Sequence, residues 1–301
     1  MITLHSPAKI NLFLYVMAER EDGFHELFTL ITELALGDDL DFDFKKKKIS
    51  VRCSHPYVPE DNSNLAFKAA ELFFSSLPPN SVKPNTNRGV SIKINKRIPP
   101  GGGLGGGSSN AACVLKAMNE WYDFPFSNFF LMKMGRTLGA DVPFFIQGGN
   151  AIARGIGEKL DICNIILPYY ILLVYPGFSA STAEVYKNVD LALTKNRKFN
   201  NNALLNICKS DGKLDIKGYL HNDLETAAYS LYPELKAVRD KMADFLHETI
   251  FMTGSGSSFF VLFSDYSEAE NAYKNVSRRW KTLGMTPEKR IFLTAFAGCE
   301  N

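Results

Sequence analysis

The chain has 301 residues, 46% of them hydrophobic and 22% charged, with a formal net charge of only +2. That length accommodates two modest domains or one large one, and the composition is that of a globular protein able to bury a sizeable core. So small a net charge argues against a nucleic-acid binder working by phosphate neutralisation, and no apolar run approaches the length of a membrane span, which argues against a membrane protein.

In chain order, the apolar run Ile10 to Met17, interrupted only by Asn11, predicts a strand. Lys9 and Asn11 lie two apart and so project from one face of it. Taken alone, Lys9 reads as a solvated strand end with its stem packed on the sheet. A turn at Glu21-Asp22-Gly23 precedes Phe24 and His25, then strands over Leu27 to Leu36 and Leu40 to Phe44. The one basic run, Lys45 to Lys48, reads as a solvated hairpin turn. Asp61-Asn62-Ser63 predicts the cap of a helix with Leu65, Ala69, Leu72 and Phe73 on one face, stopped by Pro78-Pro79. A polar loop, Asn80 to Arg88, leads to a strand in which Val90, Ile92 and Ile94 alternate with polar residues.

The next stretch, PPGGGLGGGSSNAA from Pro99, has glycine at six of the seven positions from Gly101 to Gly107. With so few Cβ atoms, its backbone N–H groups can close around an anion. An alanine-rich helix is predicted from Asn110 to Tyr122, so strand, glycine loop and helix N-terminus form a phosphate cradle, with Ser108 or Ser109 as the cap. A flexible linker is the poorer reading, because the loop lies between two well-patterned elements. No Gly-Lys-Ser/Thr follows, and the glycines are not spaced as in a dinucleotide fold, so a phosphate-binding lysine must come from elsewhere.

A helix from Ser127 carries Leu131, Met134 and Leu138 and ends at Gly139. Asp141 then stands between a helix stop and an apolar strand, as a catalytic carboxylate would, with a turn-forming aspartate as the competing explanation. Gly148-Gly149 predicts a hairpin into Ala151 to Arg154. The character of the chain changes near Gly155 to Leu167, which divides it into domains 1–160 and 161–301. The second half predicts a strand at Tyr170 to Tyr175, a capping box at Ser181 to Glu184 and helices across 201–247 with Pro233 near the start of one. It closes with strands at Thr249 to Met252 and Phe259 to Phe263, a helix from Glu268 to Trp280 and a strand from Arg290 to Phe296. That β-α-β-β-α-β order is ferredoxin-like, and the fold class is α+β.

The five cysteines are odd in number and scattered, which fits reduced thiols in a cytoplasmic protein. Cys113 reads as a small core residue rather than a nucleophile. No signal peptide or transit leader opens the sequence.

Three segments stand out together: Pro7-Ala8-Lys9-Ile10-Asn11-Leu12, PPGGGLGGGSSNAA, and Met252-Thr253-Gly254-Ser255-Gly256. In that order and spacing they resemble the three motifs of the GHMP small-molecule kinases. Asp22-Gly23-Phe24-His25-Glu26, Gly139-Ala140-Asp141-Val142-Pro143 and the segment from Pro176-Gly177 to Thr182 extend the resemblance over essentially the whole chain. It implies two GHMP kinase domains and phosphoryl transfer from ATP, with Mg²⁺, to a small-molecule hydroxyl: the 2-hydroxyl of a methylerythritol carrying cytidine diphosphate. It further implies that Asp141 accepts the hydroxyl proton while Lys9 stabilises the transferring charge and orients the aspartate, and that Asn11 holds substrate.

By the same resemblance, Pro99, Gly101, Gly102, Gly103, Leu104, Gly105, Gly106, Gly107, Ser108 and Ser109 bind the ATP phosphates, and Asn64 and Lys96 lie near the adenosine. Thr182, Gly254, Ser255 and Gly256 fall on the substrate side, and Phe24, His25 and Tyr186 surround the cytosine. Relatives often carry tyrosine where this chain has Phe24, which removes a hydroxyl and keeps a stacking face. A monomer or weak homodimer is expected. A kinase for homoserine, mevalonate or a sugar is the rival within the superfamily, and it has no need of Phe24 and His25 at a base-reading site. A nucleotide-sensing or RNA-binding module is opposed by Asp141 and Lys9, since a pure binder gains nothing from a carboxylate beside a phosphate.

Overall fold

A computed structural model describes residues 1–78, 88–191, 212–280 and 290–298. Two compact units are present, and neither is contiguous in sequence. The first comprises Met1–Ala8, Gly37–Pro100 and Gly105–Gly148, and the second Lys9–Leu36, Gly101–Leu104 and Gly149–Asn301. The boundary expected at 160/161 falls inside the second unit. The long strands β1 (Ile2–Glu19) and β2 (His25–Asp43) contribute to both, and β1 begins well before the predicted Ile10.

In the first unit, residues Asp39 to Asp43 of β2 pair antiparallel with β4 (Ser91–Asn95), and β3 (Ser50–Cys53) pairs parallel with the far side of β4. Alternation explains the pairing: Leu40, Phe42, Ile92 and Ile94 are all fully buried, while the intervening aspartates look outward. Because β4 separates β2 from β3, the exposed run Lys45 to Lys48 is a surface turn but not the hairpin turn expected. Helix α1 (Leu65–Ser76) packs against α2 (Gly106–Trp121), which in turn packs on α3 (Asn128–Leu138) and α4 (Val142–Gln147). Asn64 caps α1, one residue beyond the predicted Asp61-Asn62-Ser63. Helix α2 starts at Gly106 rather than Asn110 and is headed by Gly105, with neither serine as cap. Val142 to Ile146 form a helix, not a strand, so Gly148-Gly149 joins α4 to a strand rather than turning a hairpin. Five consecutive buried apolar residues satisfy a short internal helix as well as a buried strand.

In the second unit, Leu27 to Thr32 of β2 pair antiparallel with β5 (Asn150–Gly155), which continues antiparallel into β6 (Lys159–Ile162). Phe13 and Leu14 of β1 pair parallel with β10 (His221–Asn222). Strands β7 (Ile165–Ile166) and β9 (Gly212–Lys213) form a small parallel pair. The other sheet runs β11 (Phe251–Met252), β12 (Phe259–Phe263), β8 (Tyr170–Val174), β13 (Ile291–Ala295), antiparallel throughout. In chain order that is 2-3-1-4, the ferredoxin-like arrangement expected. Helix α5 (Thr182–Lys187) follows β8; α6 (Leu224–Leu231) and α7 (Pro233–Leu246) precede β11; α8 (Tyr266–Arg279) separates β12 from β13. Leu172, Val174, Phe259 and Val261 from the sheet share one core with Ala269, Val276 and Trp280. The predicted loop at 80–88 and the helices expected at 201–211 lie largely outside the described residues. Among the described residues Cys53 and Cys113 are free thiols. Burial pushes the Cys113 thiol up to about 12, so it stays protonated and inert, as a core cysteine should.

Candidate active site

The glycine stretch divides between the units: Gly101–Leu104 belongs to the second and Gly105 onward to the first. In the first unit, Gly105 heads α2 at φ +71°, a left-handed conformation that glycine reaches without strain. A Cβ on Gly106 would lie 2.7 Å from Lys96 Nζ and 3.0 Å from an Ile98 methyl, so the head of α2 is closely backed on this side. Lys96 is itself almost fully buried and pairs at 2.5 Å with Asp38, which is wholly buried. Asp38 also accepts the Arg97 and Ile98 N–H groups at 2.7 and 2.8 Å. Sequence reasoning missed this carboxylate, which looks like one more aspartate of an acidic run.

The predicted ATP residues of this unit fall into two kinds. Gly107 is exposed and Ser108 half-buried near Gly139, whose Cβ would stand 3.5 Å from the Ser108 hydroxyl. Ser109 instead turns inward, its hydroxyl 2.7 Å from that of Ser6, which in turn donates to Asn110 Oδ1 at 2.8 Å. Asn64 uses both ends of its amide locally, accepting from Ala66 N at 2.8 Å and donating to the Pro59 carbonyl at 2.6 Å. Pro99 is buried. Asp141 stands at the head of α4, half-buried, and makes no capping bond to that helix.

In the second unit the three motif segments meet through backbone. Lys9 N donates to the Leu104 carbonyl at 3.0 Å, and Ser258 N to the Gly102 carbonyl at 3.2 Å. At Gly103, φ +77°, a Cβ would come 2.7 Å from the Gly256 carbonyl oxygen and 2.9 Å from that of Thr253. Only glycine fits between two backbones so close. Ser179 likewise occupies the space of any side chain on Gly101, and Ser258 Oγ lies 2.8 Å from the Cβ position of Gly102. Lys9 and Asn11 do project together from β1: the buried Lys9 ammonium donates to Asn11 Oδ1 at 2.7 Å. Asn11 Nδ2 donates to Thr29 Oγ1 at 2.8 Å, and Asn11 N to Thr253 Oγ1 at 2.9 Å. Gly254 lies beside this pair, its Cβ position 3.6 Å from Lys9 Nζ. The Thr182 and Ser255 hydroxyls bond at 2.8 Å, and the His25 and Tyr186 rings are 5.4 Å apart, tilted by 37°. Phe24 remains 57% exposed, its ring available to a ligand.

Residues 64–149 match the model of the GHMP kinase N-terminal domain, and residues 206–282 that of the C-terminal domain. The 4-diphosphocytidyl-2-C-methyl-D-erythritol kinase of Syntrophus aciditrophicus is 38% identical over 90% of this chain and 93% of its own length. The chain belongs to this family of GHMP kinases. It is accordingly an ATP-dependent small-molecule kinase. The family enzyme of Clostridium kluyveri is 38% identical over 93% of this chain and 97% of its own. A crystal structure of 4-(cytidine 5'-diphospho)-2C-methyl-D-erythritol kinase matches with a TM-score of 0.76 and 34% identity, over 99% of this chain and 100% of that one. Homoserine kinase from Cytophaga hutchinsonii, at 16% identity and a TM-score of 0.66 over 98% and 94% of the two chains, shares the GHMP kinase fold alone.

Proposed function

We propose that the chain transfers the γ-phosphoryl group of ATP to the 2-hydroxyl of 4-diphosphocytidyl-2-C-methyl-D-erythritol, a step toward isoprenoid precursors by the non-mevalonate route. The observation that carries this reading is the backbone meeting of the three motif segments at Lys9–Leu104, Gly102–Ser258 and Gly103–Gly256. Glycines that leave no room for a Cβ are what a phosphate-cradling backbone requires.

In this proposal Asp141 takes the proton of the attacking 2-hydroxyl. The new bond forms from that oxygen to the γ-phosphorus as the bond to the β,γ-bridging oxygen breaks, and ADP leaves. Lys9 Nζ, aimed by Asn11 Oδ1, donates to the charge on the transferring group. Catalysis of this kind is mostly positioning and electrostatics, which fixed, buried donors supply with little reorganisation. The Gly101 to Gly107 backbone and Ser108 hold the phosphates, with the positive end of α2 behind them. Asn64, Lys96, Pro99 and Ser109 support the nucleotide side through the structure around that end. Mg²⁺ suits such a site, because it binds through substrate phosphates, water and one or two protein oxygens. Among the described residues no group of three or more His, Cys, Asp or Glu could cage a metal, so the ion would be held chiefly by the phosphates, with the Ser108 hydroxyl, in the first turn of α2, as the protein oxygen it would find there. When bound, Mg²⁺ neutralises phosphate charge.

His25 reads the polar edge of cytosine while Tyr186 and Phe24 supply apolar faces, and Thr182 and Ser255 bind the rest of the acceptor as a hydroxyl pair. The cytoplasm as compartment and a monomer or weak homodimer as state belong to the same proposal. The test is incubation of purified protein with ATP, Mg²⁺ and a panel of acceptors: the cytidyl substrate, its uridyl counterpart, mevalonate and homoserine. The expected product by mass is the phosphorylated cytidyl compound, and turnover of mevalonate or homoserine in its place would overturn the reading.

A further inference from the structure

The Met252–Gly256 loop is held by a residue that no motif contains. Asn222, on β10, is buried, and its amide is fully used. Nδ2 donates to the Met252 carbonyl and to the Gly254 carbonyl, both at 2.8 Å, and Oδ1 accepts from Leu224 N at 2.9 Å. An asparagine amide has two donor hydrogens, and here each takes one of two carbonyls that flank Thr253. On its other side Thr253 is tied to β1, its hydroxyl accepting from Asn11 N at 2.9 Å. Since β1 and β10 pair at Phe13–His221 and Leu14–Asn222, the loop is clasped from two adjacent strands.

We infer that Asn222 is a positioning residue for the acceptor: by fixing the Gly254 carbonyl it aims the Ser255 amide at the substrate, and by fixing the Met252 carbonyl it anchors the start of the same loop. The inference rests on the proposed assignment of this loop to the acceptor side. In a trans peptide the C=O and N–H point to opposite sides, so a Gly254 carbonyl turned to Asn222 sends the Ser255 N–H away from it. Among the described residues, neither the Gly254 nor the Ser255 N–H has an acceptor, although both residues are buried. Buried donors without partners are rare in folded proteins, and a bound acceptor's oxygens would satisfy these two. Gly254, at φ +57°, gives the loop the left-handed step with which successive N–H groups form a concavity for an anion or hydroxyl.

The experiment compares Asn222→Ala and Asn222→Asp with wild type in steady-state kinetics, varying the cytidyl acceptor and ATP separately. Asn222→Asp keeps the side-chain shape and the Leu224 bond while replacing the donor with an oxygen. Ala227→Gly, on α6 behind the same segment, controls for lost stability. In both Asn222 variants kcat/KM for the acceptor should fall roughly 10- to 100-fold, as for a binding group misplaced by about 1 Å, with KM for ATP within about twofold. Ala227→Gly should leave both close to wild type at a comparable melting temperature. Equal losses toward both substrates, or failure of both Asn222 variants to fold, would make the residue merely structural and overturn the inference. Gly254→Val separates the two levels: if it raises the acceptor KM while the Asn222 variants do not, the positioning role alone falls. If none of the three affects the acceptor, the assignment of the loop falls as well.

Discussion

Asp141 makes no capping bond to α4, so Asp141→Asn removes no helix cap. Its effect should fall on the transition state, with turnover down by roughly 10²- to 10⁴-fold and ATP affinity near wild type by calorimetry. Near-normal turnover would remove Asp141 from the chemistry. The neighbouring rings of His25 and Tyr186 support a second prediction about choice between bases. Cytosine and uracil stack almost equally well, so Phe24 and Tyr186 give affinity and little discrimination. The two differ at the polar edge, where cytosine sets an amino donor beside a ring-nitrogen acceptor and uracil the reverse. A neutral histidine offers one donor and one acceptor. His25→Ala should therefore narrow the gap in kcat/KM between cytidyl and uridyl acceptors. Phe24→Ala, at an exposed ring, should weaken both by similar factors. Equal use of the two bases by wild type would refute base reading by His25.

Among the elements, the head of α2 is the most closely constrained. A valine at Gly106 would press on Lys96 Nζ and Ile98, so Gly106→Val should weaken ATP binding far more than acceptor binding in calorimetry. The Asp38–Lys96 pair that backs this helix is buried on both sides. Asp38→Ala leaves an ammonium and two backbone N–H groups unanswered, and should cost about 3–5 kcal/mol in urea unfolding. A loss below about 1 kcal/mol would show that the pair is solvated in solution. These features also mark what a sequence can disclose. The glycine loop, the alternation of β4 and the ferredoxin-like order are short-range patterns, legible because they depend on neighbours in the chain. The helix α4 was hidden because a run buried on every side has no period to distinguish helix from strand. The resemblance sets Ser109 among the phosphate ligands, and nothing local in the chain discloses the inward bond of its hydroxyl to Ser6, more than a hundred residues away. Asp38 and Asn222 escaped for the same reason, their roles being set by groups that only the fold assembles.

Across the molecule, pH enters through Glu225 on α6. Burial holds its carboxyl above the ordinary 4.5, with the hydrogen bond from Met252 N opposing the shift only in part. The folded state thus binds this proton more tightly than the unfolded one, so its stabilising contribution is complete below the unfolded value and is lost as pH rises through the folded one. Glu225→Gln keeps an acceptor for Met252 and carries no charge to bury. It should melt higher than wild type at about pH 7, with the difference vanishing below about pH 4. A constant difference across that range would point to packing instead.

The interleaving of the two units bears on how the chain is made. The backbone passes between them five times, at residues 8/9, 36/37, 100/101, 104/105 and 148/149. Every residue of the first unit has left the ribosome once Gly148 is clear, whereas the second holds its earliest strands, from Lys9 to Leu36, in waiting until the strands that flank them, at Asn150–Gly155 and His221–Asn222, have been synthesised. Translation therefore produces an intermediate in which the second-unit halves of β1 and β2, paired with each other, expose both outer edges of an apolar ribbon, a state prone to aggregate when synthesis outruns folding.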